Sequence, residues 1–124
     1  MPARITRTAD QLTSTMSMNL PPPIASFFQA FNGKDTDAFL ASFASDALVT
    51  DEEREYCGAP AIEGWFAAVN AKYQPILEAT NLGDVGDTIV VATQVSGTFP
   101  GSPIQLHYHF KLQNGKIAAL SIGN

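Results

Sequence analysis

A single cysteine, Cys57, in 124 residues excludes any internal disulfide, and the two histidines beside it cannot complete a Cys/His metal site at any recognised spacing. Neither a metal nor a cofactor is expected, and Cys57, with no basic neighbour in sequence to activate it, is expected to pack. Basic residues are also scarce. Seven Lys and Arg against twelve Asp and Glu leave a formal charge of -5, which gives no electrostatic footprint for a phosphate backbone and excludes nucleic acid as a natural partner. No apolar run approaches the roughly 18 residues of a membrane span, so no membrane partner is expected. The first twenty residues lack the apolar centre of a secretory signal. The expected setting is a reducing cytoplasm.

The length suits one domain with one core. Residues 1–20 read as an N-terminal extension and residues 21–124 as the domain. Pro21-Pro22-Pro23 opens a helix in which Ile24, Phe27, Phe28 and Phe31 recur at helical spacing, and Asn32-Gly33 ends it. Asp35 is the predicted N-cap of a second helix presenting Phe39, Leu40 and Phe43. Ala47 to Thr50 reads as a short strand. Ala59-Pro60 opens a third helix with Ile62, Trp65, Phe66, Val69 and Tyr73 on one face, stopped by Pro75. From Ile76 onward the pattern changes to four strands, with breaks at 83–87, at 100–103 and at Asn114-Gly115, a strong hairpin signal. Ile104, Leu106, Tyr108, Phe110 and Leu112 alternate with Gln105, His107, His109 and Lys111, so one face of that strand is core. Helices first and a sheet afterwards predict an α+β fold: a cone of strongly bent antiparallel sheet with three helices on its concave face.

The stretches Phe31-Asn32-Gly33-Lys34-Asp35, Phe43 to Asp51, Gly58-Ala59-Pro60-Ala61-Ile62 with Trp65, and His109-Phe110 through Gly115-Lys116-Ile117 resemble the nuclear-transport-factor-2-like superfamily. Its SnoaL-like and ketosteroid-isomerase-like branches are the nearest. The resemblance runs from about Pro23 to Gly123 and implies the cone fold, while leaving the reaction open, because this fold carries isomerases, dehydratases, cyclases, epoxide hydrolases and non-catalytic proteins. Position by position it aligns Asp51 with the general base of the ketosteroid-isomerase-like enzymes. The helix-one tyrosine that donates to the oxyanion there corresponds to Phe27, which cannot donate, and the strand aspartic acid corresponds to Tyr108, which can. The arginine between two aspartates of the epoxide-hydrolase relatives has no counterpart, since Arg54 falls in a charged loop. The inward histidine of the dehydratases has none either, because His107 and His109 take the polar face.

Two residues are candidates for chemistry. Asp51 is either a carboxylate desolvated in an apolar cavity, suited to removing a proton beside a carbonyl, or the first acid of a solvated loop. Tyr108 is either a donor to a developing oxyanion or a core tyrosine. The expected cavity wall comprises Phe27, Phe31, Phe43, Val49, Tyr56, Trp65, Val69, Ile89, Val91, Phe110, Leu120 and Ile122, with Tyr56 and Trp65 able to stack on a planar ligand or simply to fill core. Such a wall suits a small apolar or aromatic molecule with one polar handle. Two functions follow: a cofactor-free isomerase, cyclase or dehydratase with Asp51 as base, or a non-catalytic binding or assembly domain. The outward strand residues, including Val90, Ala92, His107 and His109, predict a homodimer through the convex face of the sheet.

Overall fold

Proline rigidity precedes the first described helix. The computed structural model describes residues 19–123; all but the last two residues of the expected extension lie outside the described residues. Pro21 takes an extended conformation ahead of helix α1 (Pro22–Gly33), and Ile24, Phe27, Phe28 and Phe31 are buried along one stripe. Lys34, not Gly33, adopts the left-handed conformation that ends the helix, and the amides of Lys34 and Asp35 donate to the carbonyls of Phe31 and Ala30. Asp35 caps α2 (Thr36–Ala41), its Oδ1 accepting from the Ala38 amide at 3.2 Å. The longest of the described helices, α3 (Ala59–Tyr73), has proline in its first turn and closes on Gln74 at φ 48° before Pro75.

The strands are β1 (Phe43–Asp51), β2 (Arg54–Cys57), β3 (Ile76–Val85), β4 (Thr88–Ser96), β5 (Ile104–Gln113) and β6 (Lys116–Gly123), in the order β2-β1-β6-β5-β4-β3. The predicted α+β class and the three helices are present, but the sheet is mixed and unclosed. β1 lies parallel to β6, whereas every other pair is antiparallel. Sequence-adjacent pairing does not disclose this contact, because β6 returns beside β1 only after the whole β3–β5 meander. The short strand expected at Ala47–Thr50 is longer and begins at Phe43, which therefore leaves the second helix. Arg54, expected in a loop, lies on β2 opposite Asp51, and Cys57 is exposed because β2 is an edge strand with little to cover it. The break expected at 83–87 shrinks to Gly86-Asp87, since β3 pairs with β4 as far as Val85–Thr88. Asn114 and Gly115, at φ 54° and 77°, form the two-residue β5–β6 turn as read from sequence.

The helices cover one face of the sheet, and the interior between them is aromatic. Phe27 is 0% exposed. Its ring lies 5.2–6.1 Å from those of Phe28, Phe31, Phe39, Phe43, Tyr108 and Phe110, counting centroids. Phe39 stacks on Phe66 at 4.1 Å and thereby joins α2 to α3. Offset and edge-on aromatic pairs of this kind add about 0.5–1.5 kcal/mol each beyond area burial. One polar clamp fastens α1 to the edge strand β3: the Asn32 side chain donates to the Leu77 carbonyl and accepts from its amide, both at 2.8 Å. Phe27→Ala is expected to cost about 3–5 kcal/mol, because six ring neighbours cannot all collapse into the space it leaves; urea unfolding at constant m-value measures the loss.

Candidate functional site

Asp51 ends β1 where the strand turns back, and the turn is unusual. Glu52 and Glu53 both take positive φ, 53° and 65°, between the paired residues Asp51 and Arg54. Two-residue hairpins favour such angles because they match strand twist, though Asn and Gly adopt them more readily than Glu. The turn holds Asp51 and Glu52 on the rim and wall of a cavity of about 330 Å³. Opposite them, α3 supplies Trp65, Val69 and Tyr73, α1 supplies Phe31, and the sheet supplies Val95, Ile104, Leu106, Tyr108 and Ile122.

The cavity mouth is shaped by the β4–β5 loop. The Tyr73 carbonyl accepts from the Thr98 amide at 2.7 Å and from the Thr98 hydroxyl at 3.1 Å, and the Ser102 hydroxyl holds the Gly97 amide at 3.0 Å. A Cβ on Gly97 would sit 2.5 Å from the Tyr73 carbonyl oxygen, so only glycine permits this approach. The clamp sets Phe99 edge-on to Tyr73 at 5.8 Å, and both rings with Pro100 complete the wall.

The Asp51 carboxylate is subject to opposing effects. Burial pushes its pKa upward. The Trp65 indole N–H, donating to Oδ2 at 3.0 Å, pulls it down, the Glu52 charge raises it, and the Glu52 backbone N–H lowers it again. Desolvation prevails, and the carboxyl holds its proton to a higher pH than an ordinary aspartic acid. Tyr108 is 4% exposed, and its hydroxyl makes no hydrogen bond to another described residue while its side chain lines the cavity. Its pKa is pushed above the usual phenol range by burial and then by the nearby Asp51 charge. It is a neutral donor at physiological pH.

Of the wall residues expected from sequence, Phe31, Trp65, Val69 and Ile122 line this cavity together with Asp51 and Tyr108. Phe27, Phe43, Val49, Val91, Phe110 and Leu120 belong instead to the closed core, because aromatic rings fill the space between α1 and the sheet. Ile89 packs partly buried against that core, and Tyr56 stands behind Trp65 with ring centroids 6.2 Å apart, outside the cavity wall. Sequence reasoning did not place Glu52, Tyr73, Pro75, Val95, Phe99, Pro100, Ile104 and Leu106 on the wall. For Phe99 the available signal was a large aromatic inside a Gly/Pro-rich turn, where it has no strand partner to cover it. Two roomier surface grooves hold only exposed titratable groups, Asp35, Asp46 and Lys116. They lack the buried acid that marks this cavity.

Three helices over an open mixed sheet define a nuclear-transport-factor-2-like, cystatin-like α+β protein. The chain belongs to the SnoaL-like domain family, whose match spans residues 24–120. A Sinorhizobium meliloti protein with the provisional designation polyketide cyclase is 39% identical, with a TM-score of 0.82 over 86% of this chain and 98% of that one. SalBIII, an epoxide hydrolase/cyclase-like enzyme of pyran ring formation in the polyether salinomycin, is 23% identical, with a TM-score of 0.70 over 82% and 87%. A Catenulispora acidiphila protein of ketosteroid-isomerase-like fold, crystallised with trimethylamine, is 18% identical, with a TM-score of 0.74 over 86% and 87%. No curated protein matches the chain. Among the described residues no helix is long and apolar enough to cross a membrane.

A carboxyl whose pKa is raised on folding favours the folded state only when protonated. Ionised Asp51 therefore opposes folding above its folded pKa, and the penalty fades as pH falls through that value toward the unfolded one. Asp51→Asn is expected to raise the melting temperature at pH 7, with the gain disappearing on acidification. Trp65→Phe removes the donor and is expected to move the Asp51 carboxyl further upward, read by carboxyl carbon NMR. It should also cost about 1–3 kcal/mol at neutral pH, the penalty of leaving a partly buried acceptor unpaired.

Proposed function

We propose that the cavity binds a small apolar or aromatic carbonyl compound and catalyses cofactor-free proton transfer, of isomerase, cyclase or dehydratase type. The observation that carries this reading is the juxtaposition, on one apolar cavity, of a desolvated carboxylate and a buried tyrosine. Asp51 would remove the proton beside the carbonyl, with the Trp65 N–H fixing the carboxylate through Oδ2. Tyr108 would donate to the oxygen as negative charge develops there. The cyclase designation of the Sinorhizobium meliloti relative supports an activity of this class.

Hydrogen–deuterium exchange at the α-carbon of β-tetralone in D2O, followed by NMR, tests the chemistry without knowledge of the natural substrate. Asp51→Asn is expected to lower protein-catalysed exchange by about 100-fold or more. Tyr108→Phe is expected to lower it by about 100-fold, the typical worth of one oxyanion donor. Exchange that survives Asp51→Asn unchanged removes Asp51 as the base.

A second reading keeps the cavity without catalysis, as a small-ligand-binding or assembly domain. It is favoured by Phe27, which is sealed among aromatic rings at the position where the superfamily resemblance implies a donor tyrosine. In either reading we propose a homodimer through the uncovered sheet face, where the half-buried Leu48, Val90, Ala92 and Ala119 sit among polar neighbours. Sedimentation velocity at micromolar concentration is expected to give a dimer, and Ala92→Arg a monomer.

A further inference from the structure

The charge of the cavity wall has one sign. Its two charged residues, Asp51 and Glu52, are both acids, and among the described residues no Lys, Arg or His lines it. The rest of the wall is apolar or aromatic, with the rings of Phe31, Trp65, Tyr73, Phe99 and Tyr108 contributing. A carboxylate or phosphate entering here would lose hydration and meet two like charges, with no cation to offset the loss. An ammonium group would meet acids and ring faces, the combination that recognises alkylammonium ions. Tyr108, 4% exposed and on the same wall, has a hydroxyl without a hydrogen bond to any described residue, which independently marks the cavity as one that receives a polar ligand group.

The rim already holds a cation of the chain's own. The ammonium of Lys72 lies over the Tyr73 ring, 5.0 Å from its centroid, within electrostatic reach of Glu52. The Tyr73 hydroxyl donates to Glu52 Oε2 at 3.4 Å, so the acid and the ring form one surface. Lys72 itself is exposed on α3 and is not part of the wall. The ring of Tyr73 thus already holds one ammonium while also lining the cavity.

Building on the cavity as a ligand site, we propose that it selects an organic cation. The ligand is a protonated amine or quaternary ammonium on an apolar body, with the charged group between Glu52 and the Tyr73 ring and the neutral end directed at Tyr108. Glu52 is then a specificity residue, distinct from the proton-transfer pair.

Trp65 is the chain's only tryptophan and lines the cavity, so intrinsic fluorescence reports occupancy directly. Three matched probes separate charge from shape: benzyltrimethylammonium, its neutral isostere dimethyl benzyl carbinol, and phenylacetate. The cation is expected to bind about tenfold or more tightly than the carbinol, and phenylacetate more weakly than either. Glu52→Gln should reduce the cation's advantage about threefold, the usual effect of one partly exposed charge, and leave carbinol affinity unchanged. Lys72→Met should strengthen cation binding by removing the competing ammonium. Equal affinity for cation and carbinol, or a cation preference untouched by Glu52→Gln, overturns the proposed ligand class while the cavity reading stands. Absence of a fluorescence response to all three probes overturns both.

Discussion

The packing of Phe27 determines how deep the cavity can be. A phenyl ring at that point of α1 touches rings from α1, α2, β1 and β5 at once, and no gap remains at the centre of the fold. The cavity that holds the desolvated acid lies instead at the end where α3 meets the β4–β5 loop. A smaller or polar side chain at 27 would either leave a void or require a hydrogen-bond partner among phenylalanines, and both are costly in a close-packed interior. The same ring that stabilises the fold therefore bounds the volume open to a ligand.

Within that volume the acid is balanced between two physical effects. Desolvation alone would drive Asp51 toward the neutral acid, which cannot accept a proton, and full solvation would leave it too weak a base. The Trp65 indole stabilises the carboxylate with one oriented N–H while its ring continues to exclude water. Tyr108 shows no such compromise. Burial in contact with Phe27, Phe28 and Phe110 keeps it protonated, and its hydroxyl has no partner among the described residues. On the proposed reading, an acid tuned from two directions and a tyrosine on the same cavity suit proton transfer better than simple ligand retention.

The sequence made the helices legible because their starts and faces carry local signals: proline or aspartate at the start and, in α1 and α3, an apolar period of 3.6. The Asn114-Gly115 turn was legible for the same reason. The parallel pairing of β1 with β6 was not, since no local pattern records which distant strand lies alongside. The wall of the cavity was legible only in part. Periodicity identifies residues that face inward, as it did for Phe27, Val49, Val91 and Phe110, but it does not separate an interior filled by neighbouring rings from one that is open. The loop contribution, Tyr73 with Phe99 and Pro100, depends on the close approach at Gly97, which becomes visible only when the loop is folded against the end of α3.

Phe27, at the position where the superfamily resemblance implies a second donor, also bears on which reactions the proposed site can support. One well-placed oxyanion donor contributes roughly 3 kcal/mol to a transition state, so a site with Tyr108 alone stabilises an enolate less than one with two donors. A fixed barrier can then be crossed at a useful rate only if the substrate supplies the difference through a more acidic C–H bond. Carbonyls conjugated to an aromatic ring or flanked by a second carbonyl meet that requirement, and an ammonium group near the carbonyl meets it as well, because its positive charge stabilises the adjacent carbanion. On the proposed reading, a single donor and an acidic rim thus make the same demand on the substrate.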